Sequence, residues 1–138
     1  MNSTSNSTME SSIVPILLKA LIAGVIATVI NLVLFFAGGA VVGGIEVDLE
    51  QVGEFAPLPF FLPIIASILP MLVAGVGLWV ARRFIPRGNT VFVVGVAILM
   101  LLSLASPFMG SVATMSASIV LAIMHLVAGG VMIFYLAK

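Results

Sequence analysis

Few residues in this chain can do chemistry. Its 138 residues contain one histidine and no cysteine, with five basic and five acidic side chains. The histidine, His125, lies in LAIMHLVAGG, within the last long apolar run. An imidazole there can share hydrogen bonds, titrate near neutral pH or ligate a metal. Stable zinc sites use three or four protein ligands, so His125 alone does not make one. Met124, Met115 and Met109 add soft thioethers suited to copper(I), although methionines in apolar chains serve chiefly as packing residues. A haem ligand would want a second axial residue or an attachment motif, and the sequence shows neither. The expectation is no metal and no cofactor. General acid–base catalysis would rest on His125 alone, because the apolar runs hold no carboxylate and no nucleophile elbow. No enzyme is expected.

The elements that must position these residues follow from composition. Charged residues are 7% of the chain and hydrophobic ones 62%, whereas a soluble domain carries about 25% charged residues. Such a surface belongs in lipid. Zero net charge gives no whole-molecule attraction to nucleic acid. Residues 1–12 read as a disordered polar tail, and one domain over 13–138 follows from the length. Apolar runs fall at 13–37, 60–85, 91–107 and 117–137. A helix needs about 17–25 residues to cross the hydrocarbon core. Continuous apolar runs, rather than alternating ones, select helices over a barrel. The fold class expected is all-α, an integral membrane four-helix bundle with antiparallel up-down topology.

Charge sets the orientation. Lys19, Arg82, Arg83, Arg87 and Lys138 all fall on one side of that topology, while Glu46, Asp48, Glu50 and Glu54 crowd the 38–59 loop. The positive-inside rule then puts both termini and the RRFIPR turn in the cytoplasm, the acidic loop outside, and the protein in the plasma membrane. Lys19, about one turn into span one, is expected to snorkel to the headgroups.

Small residues mark helix contacts in lipid. The expected faces are Ala20, Gly24, Thr28 and Asn31 on span one, and Ser67, Pro70, Ala74, Gly77 and Ala81 on span two. Span three offers Gly95, Ser103 and Ser106, and span four Ser118, Ala122, His125 and Gly129. Pro63 suits the first turn of span two, whereas Pro70 should bend it and free the Ala66 carbonyl. Counting from the loop-side ends puts Asn31, Ser67, Ser103 and His125 about 6–12 Å deep at 1.5 Å per residue. These four, with Thr28, are the expected polar site. As interhelical glue, a neutral His125 would donate to Asn31 or to a freed carbonyl, and His125→Leu would loosen the bundle by about 1 kcal/mol. The alternative is a small outward-opening site or pore.

The outer loop, GGAVVGGIEVDLEQVGEFAPLP, leaves two conformations open. IEVDLE alternates like a strand with Glu46, Asp48 and Glu50 on one solvated face. Ile45, Leu49 and Val52 would equally line an interfacial helix. Gly38–Gly39 and Gly43–Gly44 are expected to make a flexible exit.

Asn31 late in span one, Arg82–Arg83 ending span two, Ser103 with Pro107 closing span three, and Met124-His125-Leu126-Val127 in span four give the chain a likeness. It resembles an uncharacterised prokaryotic family of small four-span membrane proteins, a domain of unknown function. The resemblance implies the architecture and no mechanism. Function is therefore expected to be structural, accessory or partner-binding. The bilayer, other membrane subunits or a second copy of the chain are the expected partners. A minimal oligomeric transporter or channel, or a haem or metal carrier through His125, stands as the alternative.

Overall fold

The computed structural model describes residues 12–48, 53–109 and 113–138. Helices α1 (Ile13–Val42), α2 (Phe61–Phe84), α3 (Gly88–Ala105) and α4 (Met115–Leu136) pack into a bundle. Between α1 and α2, strands β1 (Glu46–Val47) and β2 (Ala56–Pro57) form an antiparallel pair in the register Glu46 to Pro57 and Val47 to Ala56. A 3₁₀ turn, Ser106–Phe108, follows α3. All four helices are long and apolar enough to cross a membrane, and their lipid-facing sides carry Leu, Ile, Val and Phe. This is a small membrane-spanning protein. Residues 1–11, where the polar tail is expected, lie outside the described residues.

Local chemistry sets the helix ends. The Thr114 hydroxyl accepts from the Ala117 amide at 3.3 Å and caps α4. At the end of α1, Gly43 turns left-handed with φ 83°, a conformation that costs glycine little, and the Gly44 amide donates to the Gly39 carbonyl at 2.8 Å. Between α2 and α3, Arg87 itself takes φ 59°, a strained value for a side-chain-bearing residue. Gly88 beside it presses on the Ala81 carbonyl, leaving no room for a Cβ.

The chain leaves α1 later than its glycines suggest. Gly38 and Gly39 lie inside α1 rather than in a flexible exit. The reason is packing, since a Cβ on Gly38 would come within 2.7 Å of Val120 on α4. Gly43 and Gly44 make the actual exit.

Contacts fix the helix registers. α1 packs against α2 and α4, and α3 against the same two. A Cβ on Gly75 would lie 2.8 Å from that of Ala20, and one on Gly24 would lie 3.3 Å from the Ile68 backbone. Asn31 meets Ser67 further along. Numbers therefore rise along α1 as they fall along α2. On the other side Met100 covers Gly129, and Ser118 reaches Pro107.

Two apolar clusters result. One, toward the α2–α3 turn, buries Ile16, Ala20, Ala27, Met71, Leu78 and Leu136. The other, toward the β1–β2 hairpin, buries Phe35, Ile45, Ala117, Val120 and Met124. These halves are called the basic end and the hairpin end below.

The expected faces need correction on two helices. α1 buries its whole expected stripe, Ala20, Gly24, Thr28 and Asn31. On α2, Pro70 and Gly77 are exposed, while Pro63, Ser67, Met71, Gly75, Leu78 and Ala81 turn inward. On α3 the buried residues are Gly88, Phe92 and Val96 rather than the Gly95, Ser103 and Ser106 side. α4 buries Ser118 and Gly129, with Ala122 and His125 half-buried. In lipid both faces of a helix are apolar, so size and polarity alone do not fix its rotation.

Candidate functional site

Polar side chains gather where the two apolar clusters part. Thr28 and Asn31 stand one turn apart on α1, and Ser67 faces them from α2, all three buried. Asn31 Nδ2 donates to Ser67 Oγ at 3.0 Å, joining the two helices by side chains alone. Such a bond between membrane helices contributes about 0.6 kcal/mol on average. Asn31 is only 4% exposed, and its carboxamide oxygen has no partner among the described residues; the Thr28 hydroxyl is likewise buried without one there. A buried acceptor left unpaired costs about 1–3 kcal/mol. That is more than the single bond to Ser67 returns.

His125 stands across from this pair on α4. Its Nδ1 lies 2.7 Å from the Leu121 carbonyl one turn earlier. A carbonyl oxygen only accepts, so Nδ1 carries the proton. In the neutral ring Nε2 is then a bare acceptor. The expectation that His125 ties two helices together is corrected: its bond stays within α4, and Asn31 bonds Ser67 instead.

Between them is a cavity of about 240 Å³ lined by Asn31, Ser67 and His125. Apolar wall comes from Leu62, Pro63, Leu121, Met124 and Ala128, and the hairpin end contributes Val47 and Leu58. Ala66 also lines it, and Pro70 has no amide to offer that residue's carbonyl. The space exists because α3 stops at Ala105 and the chain turns through Ser106–Phe108 instead of rising another turn. The Ser118 hydroxyl holds that turn, donating to the Pro107 carbonyl at 2.6 Å. Sequence reasoning missed this bond, although Ser118 sits one turn into α4 and a Ser-Pro pair breaks α3.

Ser103 is not part of the cavity. Its hydroxyl donates back to the Met100 carbonyl at 2.8 Å, which satisfies it within its own helix. Ser106, three residues on, lines the cavity in its place. Of the methionines weighed as copper donors, Met124 lines the cavity, whereas Met109 and Met115 are exposed and do not. Among the described residues no group of three or more His, Cys, Asp or Glu side chains could hold a metal.

The hairpin roofs this region. Leu58 N–H donates to the Ile45 carbonyl at 2.8 Å, and Val47 bridges to Ala113 just before α4. IEVDLE thus forms a strand over Glu46–Val47; Leu49, Glu50 and Val52 lie outside the described residues. Glu46 and Glu54 are exposed, but Asp48 is buried and its carboxylate accepts from the Gly53 amide at 2.7 Å. The solvated-face expectation fails at Asp48, which is buried and bonded to the backbone ahead of β2.

At the basic end, Arg82 Nε donates to Asn89 Oδ1 at 2.9 Å, and Asn89 Nδ2 donates to the Ala137 carbonyl at 2.6 Å. This clasp ties α2, α3 and the end of α4. Asn89 escaped the sequence reading; a lone amide in the first turn after the Arg–Gly turn was its only signal. Arg83 lies over the rings of Trp79 and Phe84, and Lys138 Nζ lies 3.6 Å from the centre of the Phe134 ring. Arg87 and Lys19 are exposed.

One family profile, described as a family of unknown function (DUF6069), matches residues 12–138. The chain belongs to that family. No curated protein and no solved structure matches the chain.

Proposed function

We propose, taking membership in a family without an assigned activity as the premise, that this is a small binding-type accessory membrane protein and not an enzyme. It runs up and down through the plasma membrane four times, with both termini and the Arg82–Arg87 turn in the cytoplasm and the hairpin outside. The cavity walled by Asn31, Ser67 and His125 carries this reading. Below it, Ala20 and Met71 are 0% exposed and Leu78 1%. A bundle closed at that level holds a ligand and does not conduct one. The charges support the orientation, because Arg82, Arg83, Arg87 and Lys138 lie at one end and Glu46, Asp48 and Glu54 at the other.

The chain lacks cysteine, so a single thiol introduced as Ala128→Cys reports on the cavity cleanly. In oriented vesicles an impermeant thiol reagent is expected to label it from the hairpin side only. Proteoliposomes are expected to pass no more solute than protein-free vesicles. Labelling from the basic side, or solute flux that disappears in His125→Ala, would replace binding by transport.

A further inference from the structure

The chemistry of the cavity wall restricts its ligand, and this step rests on the binding reading above. We infer that the cavity takes an uncharged, hydroxyl-bearing amphiphile, whose O–H donates to His125 Nε2 and whose apolar body lies along Pro63, Leu121 and Met124. Three observations carry it. First, the wall offers an acceptor that lacks a donor: the bond from His125 Nδ1 to the Leu121 carbonyl leaves Nε2 of the neutral ring as a lone pair. Second, among the described residues no Asp, Glu, Lys or Arg lines the cavity. A charged headgroup would lose its hydration against these residues without a counter-ion, which disfavours phosphate, carboxylate and ammonium heads. Third, the rest of the lining is apolar, including Leu62, Ala66 and Ala128, and suits a hydrocarbon or ring. Met124 offers its thioether to an aromatic ring.

His125 is the only histidine in the chain, so ¹⁵N-histidine labelling gives a one-residue spectrum. The protein in lipid nanodiscs is titrated with 4-octylphenol and, separately, with its methyl ether, which has the same body but no donor. The phenol is expected to move the Nε2 resonance upfield, as acceptance of a hydrogen bond requires. It should bind about fivefold to tenfold tighter than the ether, the ratio that one net hydrogen bond gives. In His125→Phe the two probes should bind alike. Equal affinities in the unsubstituted protein, or an Nε2 resonance that the phenol leaves in place, would overturn the ligand class. If Ala128→Cys is still labelled from the hairpin side in that case, the cavity stands and only its ligand chemistry is wrong. If the thiol is also unreactive, the binding reading falls with it.

Discussion

At the basic end the helices close on alanine and glycine. Ala20 meets Gly75, Gly24 meets the Ile68 backbone, and Gly88 lies against the Ala81 carbonyl, with the Arg82–Asn89–Ala137 clasp outside them. At the hairpin end the same kinds of apolar residue leave a cavity, roofed by two short strands and walled by Asn31, Ser67 and His125. Helix length separates the two. α1 has 30 residues and α3 has 18, a difference of 12, or about 18 Å of helix axis. Where α3 is missing, three helices and a hairpin must enclose the space that four helices fill elsewhere. Of the polar side chains described there, Asn31 and Ser67 hold one another by a hydrogen bond, whereas His125 bonds within its own helix. Close packing fills one half of this protein, and a helix that stops early leaves a cavity in the other.

The contrast can be broken most severely at Gly88. Its Cβ would overlap the Ala81 backbone, which cannot swing aside, so Gly88→Ala should destabilise the bundle by about 3 kcal/mol, the upper range for overpacking. Unfolding in bicelles measures it. The next test compares two glycines of α2. Gly75→Ala puts a methyl 2.8 Å from Ala20 and should cost about 1–3 kcal/mol. Gly77 has nothing within 4 Å, so Gly77→Ala should be neutral or stabilising by up to about 1 kcal/mol. Equal effects at the two positions would mean that α2 is rotated from the orientation described. At the boundary between the halves, Ser67→Ala leaves the Asn31 amide without its acceptor and should cost about 1 kcal/mol. The smallest effect is expected at His125. Because its bond lies within α4, His125→Leu should change stability by less than about 0.5 kcal/mol. A loss near 1 kcal/mol would restore the interhelical contact expected from sequence.

Much of the architecture was legible because bilayer thickness demands long apolar runs, and the four helices are such runs. The α1 face was legible too, since Ala20, Gly24, Thr28 and Asn31 recur at helical spacing and all are buried. α2 was not. Its exposed Gly77 and its buried Gly75 are two residues apart and chemically identical, and only the position of Ala20 distinguishes them. Of the residues expected in the polar site, Asn31, Ser67 and His125 line one cavity. Ser103 does not, because a serine hydroxyl can bond its own helix carbonyl as readily as a neighbour. Asp48 reads as a surface acid until its bond to Gly53 is seen, for a carboxylate that accepts a backbone N–H within five residues leaves no periodic trace.

Matched alanine-to-leucine substitutions test the difference between the halves most directly. Ala20 is fully buried among α1–α2 contacts, and Ala128 borders the cavity. Ala20→Leu should cost about 3 kcal/mol or more, whereas Ala128→Leu should cost less than about 1 kcal/mol because its added carbons enter empty space. Comparable losses at both positions would mean that the hairpin half is packed as tightly as the basic half, and the cavity would have to be abandoned.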